Sequence, residues 1–76
     1  MVKFEMLLNS INDVKDFVNT VSKYDFDVDL VSGRYVVDAK SIMGIFSLDL
    51  SKPISVEVHS DNAAAFLAEV DKLIVK

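Results

Sequence analysis

Residues 38–50 read Asp-Ala-Lys-Ser-Ile-Met-Gly-Ile-Phe-Ser-Leu-Asp-Leu, and this stretch decides how the fold is interpreted. Five apolar residues follow Ser41 within seven positions, and they do not alternate as the residues of a strand would. The pattern is typical of a short helix whose first amides are capped by a serine. It therefore predicts a helix after Ser41, in which Gly44 lets the backbone approach another element closely.

On either side of this helix, alternating apolar and polar residues predict four strands with one buried face each. The predicted strands span residues 2–8, 25–31, 34–39 and 54–58. In the third of them, Tyr35, Val37 and Ala39 are expected on one face. Ser32 and Gly33 separate the second and third strands, and the simplest interpretation is a two-residue hairpin turn at this pair.

Helical spacing of apolar residues predicts two longer helices. These span Ile11–Tyr24 and Ala63–Val75. Ser10 and Asp13 form a capping-box signal before the first, since the carboxylate lies three residues after the serine. Ser60 or Asp61 is expected to cap the last helix.

The resulting element order is β-α-β-β-α-β-α. Each strand has one apolar and one polar face, so helices should cover one face of the sheet while the other meets water. We therefore predict an α+β fold, an open-faced two-layer sandwich with a four-stranded antiparallel sheet and three helices on one face. The 76 residues are expected to form a single domain, 1–76.

Composition excludes several classes of function. There is no cysteine, which excludes disulfides and thiolate metal sites. The net charge of −4, with basic residues scattered along the chain, argues against nucleic acid as a partner. The apolar start of the chain is too short for a signal peptide, and no run is long enough to span a membrane. We expect a cytoplasmic protein.

The sequence contains no complete motif for catalysis or metal binding. The acidic alternation over residues 25–29 fails as a calcium loop, because the sixth and twelfth positions hold Leu30 and Val36 instead of glycine and glutamate. His59 is the only histidine, and it could serve as a base, a phosphoryl acceptor or a metal ligand. A surface histidine at a strand end is the favoured interpretation. We expect no enzyme activity, no cofactor and no metal.

Ser41 has two compatible interpretations. It can cap the short helix, and it can also be a phosphorylation site, since phosphate at a helix start meets free amides. Two or three apolar side chains of this helix, among Ile42, Met43 and Phe46, are expected to lie exposed as a docking patch. Ile45 and Leu48 are expected in the core.

Residues 20–30, Thr-Val-Ser-Lys-Tyr-Asp-Phe-Asp-Val-Asp-Leu, and 40–48, Lys-Ser-Ile-Met-Gly-Ile-Phe-Ser-Leu, resemble the histidine-containing phosphocarrier protein (HPr) family of the bacterial sugar phosphotransferase system. The predicted element order agrees with that family's sandwich. By resemblance, Ser41 matches the serine phosphorylated by HPr kinase/phosphorylase. Partner-binding residues implied by the resemblance are Lys40, Ile42, Met43 and Phe46.

The resemblance fails at the family's His-x-Arg-Pro segment, whose histidine carries phosphate from Enzyme I. The corresponding region includes Ser10, Ile11 and Asn12, and it holds no histidine, arginine or proline. Asp13 and Asp16 would repel an incoming phosphate. His59 would lie at the opposite end of the sheet.

The resemblance therefore implies a degenerate member of the family that does not carry phosphate on histidine. It would act as a regulatory or protein-interaction module and be a monomer or a weak dimer. Its partners would be HPr kinase/phosphorylase, phosphotransferase-system proteins or a catabolite-control regulator. Two alternatives stay open: an active phosphocarrier that uses His59, and a purely structural or self-associating domain.

Overall fold

Two layers, a sheet and a set of helices, make up the computed structural model, which describes residues 1–75. The elements within these residues are β1 (Val2–Met6), α1 (Ile11–Val21), β2 (Val28–Ser32), β3 (Tyr35–Asp38), α2 (Ile42–Phe46), β4 (Ile54–Val58), α3 (Ala64–Glu69) and a 3₁₀ turn (Asp71–Leu73). The predicted order β-α-β-β-α-β-α is confirmed, and the fold is the open-faced sandwich. None of the helices over residues 1–75 has both the length and the apolar character that a bilayer crossing requires.

The strands lie in the order β1-β4-β2-β3, and all neighbours are antiparallel. Val2 pairs with Val58 and Met6 pairs with Ile54, so β1 ends beside the start of β4. Because α1 follows β1, it begins at that same end of the sheet. The far end of β4 lies at the opposite end.

The core forms between the helices and the inward face of the sheet. Its fully buried members from the strands and helices are Met6, Val14, Phe17, Val21, Val28, Leu30, Ile45, Ile54, Val56, Val58 and Phe66. The strand members alternate along β2 and β4, as the sequence pattern predicts. Each large side chain that is removed from water in this way stabilises the fold by about 1.5–3 kcal/mol.

The hairpin turn differs by one residue from its predicted position. Ser32 pairs with Tyr35, so the turn residues are Gly33 and Arg34 and not Ser32 and Gly33. Gly33 has φ of +60°, which places the glycine at the first central position of a tight hairpin turn. Of the three residues predicted to share a face of the third strand, Ala39 is buried and Val37 is half-buried, whereas Tyr35 beside the turn is exposed.

The second strand begins at Val28 and not at residue 25. Tyr24 and Phe26 stack on each other with ring centroids 5.2 Å apart. Both rings are nearly perpendicular to that of Phe66, with centroid distances of 5.5 and 5.8 Å. This aromatic cluster holds residues 24–26 in a bend against Phe66 of α3. Helix α1 ends at Val21 and not at Tyr24, since the amides of Lys23 and Tyr24 donate to the carbonyls three residues back, in a turn. Side-chain packing has overridden the alternation of residues 25–27.

The last helix is shorter than predicted, and its predicted caps are wrong. It ends at Glu69, and Ile74 pairs with Met6 while the Val75 amide donates to the Glu5 carbonyl at 2.9 Å. The chain therefore leaves the helix to extend along β1. Ala63 occupies the N-cap position without a side-chain hydrogen bond.

The two residues expected to cap this helix make other contacts. Ser60 accepts a hydrogen bond from the Asn62 amide, and Asp61 pairs with the Met1 amino group at 3.2 Å. Both contacts form before the helix begins, so neither side chain is available to its first amides.

Candidate functional site

Helix α2 begins where the sequence predicts it, with Ser41 as its N-cap. The backbone of Ser41 is extended (φ −98°, ψ 100°), and its hydroxyl accepts a hydrogen bond from the Gly44 amide at 3.3 Å. A Cβ on Gly44 would lie 3.4 Å from the Cβ of Val37 on β3 and 3.2 Å from Oγ of Ser41. The tighter of these two contacts is with the capping hydroxyl, so the close approach predicted for Gly44 is to the Ser41 cap more than to β3. Ser41 itself is exposed.

The apolar residues of this helix divide between core and surface as predicted. Ile45 is fully buried and Leu48 is 7% exposed, whereas Met43 is 77% and Phe46 is 42% exposed. Ile42 is half-buried and packs against the core. Five residues cannot bury every side of a helix, so the two side chains that face away from the sheet meet water.

Lys40, just before α2, contacts the bend that follows α1. Its amide donates to Oδ1 of Asp38 at 2.8 Å, and its ammonium donates to the Tyr24 carbonyl at 3.2 Å. The side chain is nevertheless exposed, so its positive charge lies in water next to Ser41 in the chain.

The start of α1 is capped by its own side chains. Oγ of Ser10 accepts from the Asp13 amide at 3.1 Å, and Oδ2 of Asp13 accepts from the Asn9 amide at 3.0 Å. The predicted cap by Ser10 is thus confirmed, whereas the Asp13 carboxylate bonds the amide one residue before the cap and not the amide of Ser10. Ile11 is 62% exposed and Asn12 is also exposed. These residues place a carboxylate, and no imidazole or guanidinium, at the first turn.

The two candidate regions are neighbours. A shallow cleft joins the start of α1 to the end of α2, and its lining residues are Leu8, Asn9, Ser10, Ile11, Phe46, Leu50 and Ser51. Met43 lies one turn before Phe46 on the same helix. We call the exposed side chains of Ile11, Met43 and Phe46 the apolar patch.

His59 lies away from this surface, at the far end of β4, as the sequence analysis expects. Its Nε2 is 2.9 Å from Oδ2 of Asp29 on β2. One ligand atom from each of His59, Asp29 and Glu57 lies within 4.8 Å of the others. Sequence reasoning missed this cluster because Asp29 is thirty positions away from His59 in the chain. The pairing of β2 with β4 is the signal that would have revealed it.

A second polar cluster joins the segment just after α1 to the end of α3. The side chains of Lys23 and Tyr24 both donate to the carboxylate of Glu69. The hydrogen bond from Lys23, followed by that from Tyr24, lowers the pKa of Glu69. The hydrogen bond to Glu69 raises the pKa of the Tyr24 hydroxyl. Each partner favours the ionisation state that the other requires, so the cluster is a structural tie between α3 and the segment after α1.

Comparison with known proteins agrees with this geometry. The family described as "PTS HPr component phosphorylation site" matches residues 13–76, which is more than half of the chain. The chain therefore belongs to the HPr family of the phosphotransferase system, whose members are phosphocarrier proteins and not enzymes. The match includes Ser41 and all of α2, and it begins after Ser10, Ile11 and Asn12.

Solved structures show the same fold. The chain is similar to HPr-C-His from Thermoanaerobacter tengcongensis, with a TM-score of 0.79 and 27% identity over 96% of this chain and 91% of that one. It also shares its fold with phosphocarrier protein HPr from Bacillus anthracis str. Ames, with a TM-score of 0.72 and 23% identity over 95% of each chain.

Proposed function

We propose that this chain is a regulatory or protein-interaction member of the HPr family that does not carry phosphate on a histidine. The observation that carries the proposal is the exposure of Ser41 at the start of α2, whose next turns present Met43 and Phe46 to water. A modifiable hydroxyl and an apolar docking surface thus share one short element.

Loss of phosphotransfer is supported by the first turn of α1. A phosphohistidine site needs an imidazole and groups that stabilise the phosphate charge. Residues 9–13 supply neither, and Asp13 and the nearby Asp16 are negative. The amide of Asp13, which could meet an anion, already donates to Ser10.

Modification of Ser41 is supported by its accessibility. Its oxygen accepts the Gly44 amide through a lone pair, so the hydroxyl proton remains available to a kinase. Phosphorylation would add about −1.5 to −2 charges beside the apolar patch. By family, the partners we propose are HPr kinase/phosphorylase, other phosphotransferase-system proteins or a catabolite-control regulator, encountered in the cytoplasm.

A phosphocarrier that uses His59 is the rival function. The ring of His59 is bonded to Asp29, and the carboxylate of Glu57 lies close by. A phosphoryl group on Nε2 would have to displace one carboxylate and approach the other, which like-charge repulsion disfavours. Replacement of His59 by alanine would abolish transfer if this rival were correct.

The test of phosphotransfer uses purified Enzyme I and labelled phosphoenolpyruvate. We expect no acid-labile phosphate on the wild-type chain, while an ordinary HPr in the same reaction is labelled. Labelling that disappears in His59→Ala would overturn the non-carrier part of the proposal.

The test of regulation uses HPr kinase/phosphorylase and ATP. We expect labelling of the wild type and of Ser47→Ala, and none of Ser41→Ala. Ser47 is the matched control because it is an exposed serine at the other end of α2. If Ser41 is not labelled while an ordinary HPr is, the regulatory part of the proposal is wrong.

The docking test compares Ser41→Asp with Ser41→Asn, which both keep a capping side chain and differ in charge. Proteins captured from native lysate should differ between the two variants and should be lost when Phe46→Asp is added. Self-association is the other use that an exposed patch could have. Sedimentation of the wild type against Phe46→Asp separates the two, since only a self-associating chain would change its mass.

A further inference from the structure

The water-facing side of the sheet carries a cluster of metal-binding side chains. It consists of Asp29 on β2 with Glu57 and His59 on and just after β4, and one ligand atom from each lies within 4.8 Å of the others. We propose that these three residues bind one divalent first-row transition-metal ion, of which Zn²⁺ is the representative case. This site is on the face opposite the helices, and it does not depend on the regulatory role of Ser41.

The backbone fixes the three side chains in place. Asp29 and Glu57 are directly paired between β2 and β4, and directly paired residues project from the same face. His59 follows Glu57 by two positions, so it projects to that face as well. The His59 amide donates to the Asp27 carbonyl at 2.9 Å, which extends the ladder past the last strand residue. His59 then reaches Asp29 along the diagonal between strands.

The distances suit a small cation. Three ligands at about 2.1 Å from a tetrahedral ion lie about 3.4 Å from each other. Nε2 of His59 and Oδ2 of Asp29 are 2.9 Å apart, and the Glu57 oxygen lies within the 4.8 Å limit. His59 is exposed and the two carboxylates are partly exposed, so small side-chain rotations would place an ion between them without moving the backbone. The ion would replace the hydrogen bond from His59 to Asp29.

The ligand chemistry selects the class of metal. Imidazole nitrogen favours zinc, copper, iron or nickel, whereas magnesium and calcium prefer oxygen ligands alone. Histidine nitrogen and carboxylate oxygen are both ligands that zinc accepts, and a water would complete the fourth position beside these three residues.

Charge in this part of the sheet also favours a cation. Asp29 is directly opposite Glu57 on one side and Asp38 on the other, and like charges in such pairs are destabilising. Lys3 offsets part of this, since its ammonium lies 3.8 Å from Oε2 of Glu57. A bound ion would offset the charge of Asp29, which has no ion pair with Lys3.

The test is calorimetric titration of ZnCl₂ into a tag-free chain. We expect binding of one ion per chain in the wild type, and at least a tenfold loss of affinity in His59→Ala, Asp29→Asn and Glu57→Gln. Asp25→Asn is the matched control, because it removes an exposed carboxylate from the bend before β2. It should bind as the wild type does, and CaCl₂ should give no saturable binding.

Lys3→Gln supplies a test in which the zinc affinity should rise and not fall. Removal of a positive charge next to Glu57 should tighten zinc binding about twofold to fivefold at low ionic strength, and less at high salt. In parallel, the ring protons of His59 should shift in the NMR spectrum and stop shifting at one equivalent. Wild-type affinity in His59→Ala, or binding without a saturation point, would overturn the proposal.

Discussion

Removal of the Ser41 hydroxyl tests whether the cap of α2 stabilises the fold. Ser41→Ala leaves the Gly44 amide without its side-chain acceptor. Loss of such a cap costs about 0.5–2 kcal/mol. The hydrogen bond of 3.3 Å is longer than the usual 2.9–3.0 Å, so we expect a loss of about 0.5–1 kcal/mol in the free energy of unfolding. For a domain of this size, that lowers the melting temperature by about 2–8 °C.

Ser41→Asp should behave differently. Aspartate caps helices as well as serine does, and its charge favours the positive end of the helix. We expect its free energy of unfolding to stay within about 0.5 kcal/mol of the wild type. A functional difference between Ser41→Ala and Ser41→Asp then reflects both the lost cap and the added charge. A difference between Ser41→Asp and Ser41→Asn reflects the charge alone.

The assay is urea denaturation of the wild type, Ser41→Ala and Ser41→Asp, together with amide hydrogen exchange. The Gly44 amide should exchange faster in Ser41→Ala, and the Ile45 amide, which donates to the Ser41 carbonyl at 3.1 Å, should follow as the helix frays. Ser47→Ala is the control, since it removes a hydroxyl and leaves the Gly44 amide bonded. Unchanged stability and unchanged Gly44 exchange in Ser41→Ala would refute the reasoning.

Three further predictions concern the scaffold. Phe66→Leu should lower the free energy of unfolding by about 1–2 kcal/mol in urea, because it removes a fully buried ring from an aromatic cluster; an unchanged midpoint would contradict this. Gly33→Ala should cost about 1–2 kcal/mol in the same assay, because φ is +60° there, and a neutral effect would exclude that backbone conformation. Glu69→Gln should return the raised pKa of Tyr24 towards its ordinary value in an ultraviolet titration. The tie between Tyr24 and Glu69 is present below about pH 10 and is lost as the pH rises through the raised pKa, so a Tyr24 titration that is identical in both proteins would contradict the contact.

Local patterns were enough to locate the elements but not their ends. The alternation around Val56 and the spacing of Val14 and Phe17 depend on one element at a time, and both indicate the buried face correctly. Phe26 alternates equally well, yet its ring packs on Phe66 forty residues later in the chain. A pattern within one strand contains no information about that partner, so the start of β2 was placed too early.

In the candidate site, too, features set by neighbouring residues were predictable and features set by distant contacts were not. The cap by Ser41 and the core position of Ile45 follow from residues within one turn, and both were predicted. The neighbours of His59 were not, because Asp29 is thirty positions away and reaches it through the register of β2 and β4. A helix surface can be read from consecutive residues, whereas a sheet surface requires the strand order, which here is β1-β4-β2-β3.

The packing of α2 also constrains how modification of Ser41 could act. Ile45 is fully buried and Ile42 is half-buried, so the core holds the helix in place irrespective of the charge at its start. Phosphate on Ser41 would then change the electrostatic potential next to Met43 and Phe46 without moving them. An electrostatic effect of this kind is weakened by salt, because the screening length is about 8 Å at physiological ionic strength.

This argument predicts a salt dependence. The ratio of partner affinities between Ser41→Asp and Ser41→Asn should fall towards one as NaCl is raised, as measured by calorimetry with a protein captured in the docking test. Their amide exchange rates in α2 should stay equal. A ratio that is independent of salt, accompanied by different exchange in α2, would mean that the charge remodels the helix and that the core does not fix it.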